Sequence, residues 1–292
     1  MPNVWCLWVM TKIIQERANA KVNLALHVIG QRLDGLHCLD SIVAFPDYGD
    51  ELLFEKANEV SLTVSGPFGE QLLKETAKGS NIVIRAAKLL EDSNNGASIH
   101  LVKNLPVASG IGGGSSNAAV TLQVLSRLWN KKMPNLDDIL GLGADVPVCL
   151  SNELQRMQGI GEIRTKLVAP SKIWIVLANP GIRIPTTKIF KLLSSKQNEQ
   201  LEPISNLTSI DSFCEYLGRQ RNDLETVVSN LFPEVKHLLE VIKSTRNCRL
   251  SRMSGSGATC FGLYAQKKHA QKAKELVEEK FSKAWVISAS LF

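Results

Sequence analysis

Several kinds of protein are excluded by what the chain has little of. Aromatic residues are 6% of its 292 positions, and its 20 glycines and 11 prolines show no period, so collagen-like and mucin-like readings fail. No segment repeats, which argues against solenoids and propellers. No apolar run approaches the length needed to cross a bilayer. Six cysteines, at positions 6, 38, 149, 214, 248 and 260, form no Cys-X-X-Cys pair and no zinc spacing with histidine. Several lie in apolar stretches, as Cys149 does, and read as small hydrophobes and reduced thiols of a cytoplasmic protein. The first ten residues are apolar but lack a basic flank and a small-residue cleavage site; of a weak signal, a disordered extension and a start at Met10, the last is favoured.

A hydrophobic content of 44% is enough for real cores, and the length suits one large domain or two ordinary ones. The charge balance is 34 Lys and Arg against 28 Asp and Glu, a net of +6. Nucleic-acid binders concentrate such an excess in a stripe. The densest basic run here, Lys267 to Lys274, is followed by Glu275, Glu278 and Glu279, the pattern of a solvated helix face. The remaining excess suits a binder of phosphorylated small molecules.

Residues 20–28 alternate strictly, with Ala20, Val22, Leu24, Leu26 and Val28 on one face and Lys21, Asn23, Ala25 and His27 on the other, which predicts a half-buried strand. Asp34-Gly35 marks a turn, and strands are expected through residues 42–45, 51–65 and 98–105, with a helix over 80–92. A further strand is expected at 173–178. Helices are expected near 186–194, 208–218, 233–245 and 265–282. A glycine-rich turn at 253–259 feeds a strand, and a last strand closes the chain. This mixed order predicts an α+β protein of two domains meeting near residues 155–170.

The most informative segment is the loop Pro106, Val107, Ala108, Ser109, Gly110, Ile111, Gly112, Gly113, Gly114, Ser115, Ser116, set between a strand and a helix that runs to Trp129. Its glycines let the backbone approach a ligand closely. With the amino end of the helix, their N–H groups make an anion site. Ser115 and Ser116 add hydroxyls for a phosphate or a metal ion. No lysine follows the glycines as a Walker A loop requires, and the dinucleotide fingerprint breaks at its third glycine.

That loop resembles the nucleotide loop of the GHMP small-molecule kinases. The resemblance extends to Ala-Lys-Val-Asn-Leu at 20–24 and Gly-Ser-Gly-Ala-Thr-Cys-Phe at 255–261, and it runs from about Arg17 to the end of the chain. Asp-Gly-Leu-His at 34–37, Gly-Ala-Asp-Val-Pro-Val at 143–148, Gly-Ile-Gly-Glu at 159–162 and Asn-Pro-Gly at 179–181 resemble the branch that acts on a CDP-linked methylerythritol. The resemblance implies a ribosomal protein S5 domain 2-like domain over 1–165 and a ferredoxin-like domain over 166–292. It implies transfer of the ATP γ-phosphate, with Mg²⁺, to the 2-hydroxyl of that acceptor. It implies Lys21 and Asp145 as the catalytic pair and residues 106–116 as the phosphate loop. His37 and Phe190 would read and stack on cytosine, with Asn23 and Thr186 on the substrate side. A monomer or homodimer is expected, with no nucleic acid or membrane as partner.

The chemistry of the pair agrees. A carboxylate near pKa ~4 cannot ionise an alcohol beforehand, but a positioned one can take its proton as the bond to phosphorus forms. Lys21 would orient Asp145 and offset charge on the γ-phosphoryl oxygens. The plain alternatives are a solvent-facing strand lysine and a turn-capping aspartate. His27 reads equally well as a sheet histidine or a ligand contact, while His100, His237 and His269 read as structural or exposed. Residues 255–257 read as a tight packing turn beside the cleft, and Asn222 to Glu225 as a helix cap.

Three departures stand out. Leu36 replaces an aromatic before the histidine, thirteen residues between Trp129 and Gly143 make a short approach to Asp145, and Ser109 replaces a glycine common in the loop. Mevalonate and homoserine are the alternative acceptors within the fold. A nucleic-acid-binding protein that needs no Asp145 is the alternative outside it.

Overall fold

The structure is a computed structural model that describes residues 13–76, 81–170, 172–204, 207 and 209–291. Met10 and Cys6 lie outside the described residues. The chain opens with β1 (Ile14–Asn19), β2 (Val22–Gln31), β3 (His37–Ala44), β4 (Gly49–Ala57), β5 (Ser61–Ser65), α1 (Gly69–Thr76), α2 (Ile82–Lys88) and β6 (Gly96–Val102). After the glycine loop come α3 (Gly113–Leu128), α4 (Leu136–Leu142), β7 (Gln155–Gly159) and β8 (Ile163–Lys166). Then follow β9 (Trp174–Asn179), α5 (Thr186–Lys191), α6 (Ile210–Arg219), α7 (Glu225–Leu231), α8 (Pro233–Ser244), β10 (Leu250–Met253), β11 (Cys260–Tyr264), α9 (Lys267–Lys280) and β12 (Trp285–Ser290).

Three four-stranded sheets result, ordered β1-β4-β6-β5, β2-β3-β7-β8 and β10-β11-β9-β12. Among the strand pairs of the described residues only β5 and β6 run parallel. In the third sheet the outer helices connect β9 to β10 and β11 to β12, so the centre is β11-β9 and the order is that of the split βαβ, ferredoxin-like arrangement. The segment between Lys166 and Trp174 carries the chain from the second sheet to the third. An apolar core runs across that junction, joining Leu24 and Ile42 of β2 and β3 to Leu177 and Phe261 of β9 and β11.

The alternation at 20–28 is a strand, but two details differ from the half-buried expectation. The chain passes from the first sheet to the second at Ala20–Lys21, where Ala20 N–H donates to Tyr48 O and Lys21 N–H to Ile111 O. Beyond it both faces are buried, Lys21, Asn23 and His27 included. The edge of β2 is covered by the far half of the molecule: Leu26 N–H donates to Arg221 O, and Asp223 N–H donates back to Leu26 O. Long-range pairing of this kind leaves no periodic trace in a local window. The α1 and α4 helices and the β7–β8 hairpin were not anticipated either. Short elements carry weak periodicity, and a hairpin whose β8 is exposed throughout does not alternate.

Candidate functional site

The glycine loop and the 254–259 segment are locked together from opposite halves of the chain. Gly110 has φ of +77°, and a Cβ there would stand 2.6 Å from Ser254 O and 2.7 Å from Gly257 O. Ser254 Oγ donates to Gly110 O (3.0 Å), and Thr259 Oγ1 donates to Ser109 O (2.7 Å). Residues 255–257 are thus a packing turn against the loop, and Gly255 and Ser256 also reach the cleft. Ser109 Oγ donates to Pro106 O (2.7 Å), so the residue that departs from the family pattern supplies an internal brace. The strained position is its neighbour: Ala108 holds φ of +52°.

The α3 helix begins without a side-chain cap and with no acidic residue in its first turn. The first N–H groups of a helix have no intrahelical partner, so this end is set to receive an anion. The two serines diverge because successive helical residues point about 100° apart. Ser115 lines the cleft, whereas Ser116 is buried and its Oγ donates to Cys149 Sγ (3.4 Å). Ser116 therefore offers no hydroxyl to the cleft, contrary to expectation. Burial pushes the Cys149 thiol up to about 12, which keeps it protonated. Ile111 buries its side chain in the core and offers only backbone. Pro106, Val107, Ala108, Ser109 and the other loop glycines face the cleft.

Lys21 Nζ lies 2.9 Å from Asp145 Oδ2 and donates to Asn23 Oδ1 (2.8 Å). Asn23 is oriented in turn by donating to Ser41 Oγ (2.8 Å), which donates to Ala25 O (2.6 Å). Lys21 is 4% exposed and the Asp145 side chain 35%, so the carboxylate is the partner open to a ligand. Asn23 also borders the cleft, but its amide oxygen is spent on Lys21. The short approach to Asp145 does not displace it. Asn135 Oδ1 caps α4 by accepting from Asp138 N–H, and the helix stops at Gly143 just before the pair.

At the other end His37 and Phe190 pack ring on ring, with centroids 4.6 Å apart and planes 32° from parallel. His37 Nε2 is buried with no partner among the described residues. Desolvation, then the charge of Lys196, lowers the His37 pKa, so the ring is neutral at pH 7. Leu36 is half exposed at the rim. Thr186 shares a 2.7 Å hydrogen bond between its Oγ1 and Ser256 Oγ. His27 is not a ligand contact: Nδ1 faces Glu199 O at 2.9 Å, and Nε2 accepts Arg221 N–H at 3.2 Å. His100, His237 and His269 bond or pack outside the cleft.

The loop, the ion pair and the aromatic pair border one cleft of about 750 Å³. It brings together Lys21, Asn23, His37, Asp145, Thr186, Phe190 and the loop, and leaves out Ile111 and Ser116. It also includes Asn81, Lys103, Lys191 and Lys196, which sequence reasoning missed. Lys103 carried a signal, a charge between the apolar Leu101-Val102 and Leu105 that lead into the loop. Asn222, read as a helix cap, does accept Leu224 N–H just before α7, and its Nδ2 also donates to Met253 O and Gly255 O.

Comparison with known proteins identifies the family. Residues 81–153 match the GHMP kinases N terminal domain and residues 203–283 the GHMP kinases C terminal domain. A 4-diphosphocytidyl-2-C-methyl-D-erythritol kinase of Cereibacter sphaeroides is 45% identical over 276 residues, covering 94% of this chain and 98% of that one. The enzyme of the same name from Paramagnetospirillum magneticum is 41% identical over 280 residues, covering 94% and 97%. A crystal structure of 4-(cytidine 5'-diphospho)-2C-methyl-D-erythritol kinase superposes with a TM-score of 0.76 at 30% identity, covering 95% of this chain and 98% of that one. Homoserine kinase from Cytophaga hutchinsonii, at 18% identity and a TM-score of 0.68, shares the fold. With relatives this similar over nearly their whole length, the chain belongs to the 4-diphosphocytidyl-2-C-methyl-D-erythritol kinase family of the GHMP kinases.

Proposed function

We propose that this chain transfers the γ-phosphoryl group of ATP to the 2-hydroxyl of 4-diphosphocytidyl-2-C-methyl-D-erythritol, a step of the non-mevalonate isoprenoid pathway. The observation that carries the reading is the Lys21–Asp145 pair at 2.9 Å between a phosphate-type loop and an aromatic pocket. Residues 106–115 cradle the phosphates through backbone N–H groups and the amino end of α3. Asp145 accepts the proton of the acceptor hydroxyl as the new bond to phosphorus forms. Lys21, held by Asn23, fixes the direction of that carboxylate and offsets charge on the transferred group. His37 and Phe190 bind the cytosine, with Asn23 and Thr186 alongside the acceptor.

Phosphoryl transfer from ATP calls for a divalent cation. Among the described residues no group of three His, Cys, Asp or Glu side chains could hold a metal alone. Mg²⁺ needs no such cage, since it keeps several waters and binds through one or two protein groups and the phosphates themselves. Ser115, whose Oγ lies near Gly143, and Asp145 are the groups placed to assist it. The ion would neutralise phosphate charge.

Mevalonate and homoserine lack a base, and neither would use the His37–Phe190 end. A coupled assay with ATP and a panel of alcohols tests the reading. Turnover should be confined to the cytidine acceptor, and a preference for mevalonate or homoserine would overturn it.

A further inference from the structure

Asp145 stands between elements. α4 ends at Leu142, and a short 3-10 turn begins only at Val148. Between them Val146 N–H donates to Gly143 O (3.0 Å) and Cys149 N–H to Asp145 O (3.3 Å). A base has to be held within about half an ångström of its productive position, so this turn needs an anchor from outside. The β7–β8 hairpin reaches it at two points. Gly161, with φ of +111°, packs so closely that a Cβ there would run into Ala144 O. Arg164 Nη1 donates to Pro147 O (2.6 Å). These contacts flank Asp145 on both sides along the chain. The hairpin is itself fixed. Glu162 Oε2 accepts Ile160 N–H (2.5 Å) across its tip, and Arg156 of β7 forks onto the buried carboxylate of Asp40 in β3 (2.8 and 2.5 Å). Arg164 pairs with Met157 in the β7–β8 register, which sets it on the face where Met157 borders the cleft.

An exposed arginine gains little stability from one bond to a carbonyl, because it gives up side-chain freedom to make it. The Pro147 carbonyl is the one hydrogen-bond partner of the Arg164 side chain among the described residues. What the bond holds is the turn that carries the base. We propose that Arg164 is a positioning residue for the phosphoryl transfer: clamped on Pro147 O, it fixes the 143–147 turn so that the Asp145 carboxylate faces the acceptor hydroxyl. This rests on the reading of Asp145 as the base and deepens it. Ile160, at the tip of the same hairpin, borders the cleft, so one rigid hairpin both forms part of the cleft wall and sets the base beside it.

The test asks whether Arg164 acts through Asp145. Arg164→Met removes the donor and keeps the stem, and the exposed position spares the fold. Its kcat should fall about tenfold while ATP KM stays within about twofold, because a misdirected base slows the chemical step and leaves the phosphate loop untouched. Arg164→Lys can still give one N–H to Pro147 O and should recover most of the loss. The deciding measurement repeats Arg164→Met in the Asp145→Asn background. With no carboxylate left to direct, kcat there should fall by less than about twofold further, whereas a brace that only keeps the cleft in shape would cost the same factor in both backgrounds. Undiminished kcat in Arg164→Met, no recovery with lysine, or an equal loss in the Asp145→Asn background would each overturn the proposal. Full kcat in Asp145→Asn alone would instead refute the base itself, and the role of Arg164 with it.

Discussion

The two ends of the cleft are built differently. At the end proposed for ATP the middle of the loop is braced: Ser109 by Pro106 and Thr259, Gly110 by Ser254, Ile111 by Lys21, and the strand leading in by Asp50. At the acceptor end Leu36 is half exposed and His37 Nε2 has no partner among the described residues. His37 and Phe190 occupy each other's faces. The difference fits the ligands proposed for the two ends. Phosphates are bound by fixed backbone dipoles, whose value depends on their being preorganised, whereas a base is bound by stacking, which tolerates a pocket that opens. Lys21 and Asp145 stand between the two ends.

The largest effect should come from breaking the centre. Asp145→Asn should lower kcat roughly 10²–10⁴-fold with ATP KM nearly unchanged, since a general base acts on the acceptor hydroxyl. Steady-state kinetics checks this, and a variant that keeps most of its kcat removes Asp145 from the role. Lys21→Ala should lose a similar factor, and the double variant should lose little more than either single one, because the pair acts as a unit.

The next effect should fall on the acceptor end alone. Stacking on a base is worth about 1–3 kcal/mol, so Phe190→Ala should raise the acceptor KM roughly 5- to 150-fold. Leu36→Tyr should lower it by about fivefold at most, because Leu36 already supplies apolar contact at the rim. Neither should change ATP KM. Were both to shift ATP KM and leave the acceptor KM alone, the two ends would have to be exchanged.

Much of this arrangement was legible in the sequence because the loop, the Ala-Lys-Val-Asn-Leu strand and the Gly-Ser-Gly turn are local patterns with a physical cause. Glycines stand where a Cβ would meet backbone, as at Gly110. What could not be read were the relations between distant segments. Nothing local tells that Asn23 turns its amide nitrogen to Ser41, or that Ser116 points at Cys149 while Ser115 faces the cleft. Lys103 and Asp50 are 53 residues apart and meet only through the β4–β6 pairing. Likewise, the edge of β2 is covered by Asn198, Arg221 and Asp223, and period-two alternation cannot report a cover supplied from so far along the chain.

A milder load can be put on that cover through pH. His27 joins β2 to residues 199 and 221, and its pKa is lowered chiefly by desolvation, with the Glu199 carbonyl opposing and the Arg221 charge adding. In the unfolded chain the imidazole titrates near ~6.5. Above that pH neither state is charged and the histidine has no effect. As pH falls below it, the unfolded state takes up the proton first, so stability declines until the lowered folded pKa is passed. The melting temperature should therefore fall from pH 7 to pH 5, and less steeply in His27→Gln. An identical slope in the variant would place the acid sensitivity elsewhere.

The smallest effect belongs to the ATP end and concerns which residue departs from the loop's ideal. The sequence draws attention to Ser109, where glycine is common, but the backbone at Ala108 is the one in the left-handed region, at φ of +52°. An L-residue there costs about 1–2 kcal/mol, and glycine gives back about 0.4–1 kcal/mol through the freer unfolded chain. The Ala108 methyl is exposed and buries nothing. Ala108→Gly should therefore stabilise by about 0.5–1 kcal/mol, a rise of roughly 1–4 °C in melting temperature. ATP KM should stay within about twofold, because the braces at Ser109 and Gly110 are untouched. Ser109→Gly should do the opposite, losing the 2.7 Å bond to Pro106 O with no strain to relieve. If Ser109→Gly stabilised and Ala108→Gly did not, the rigidity assigned to this end of the cleft would rest on the wrong residue.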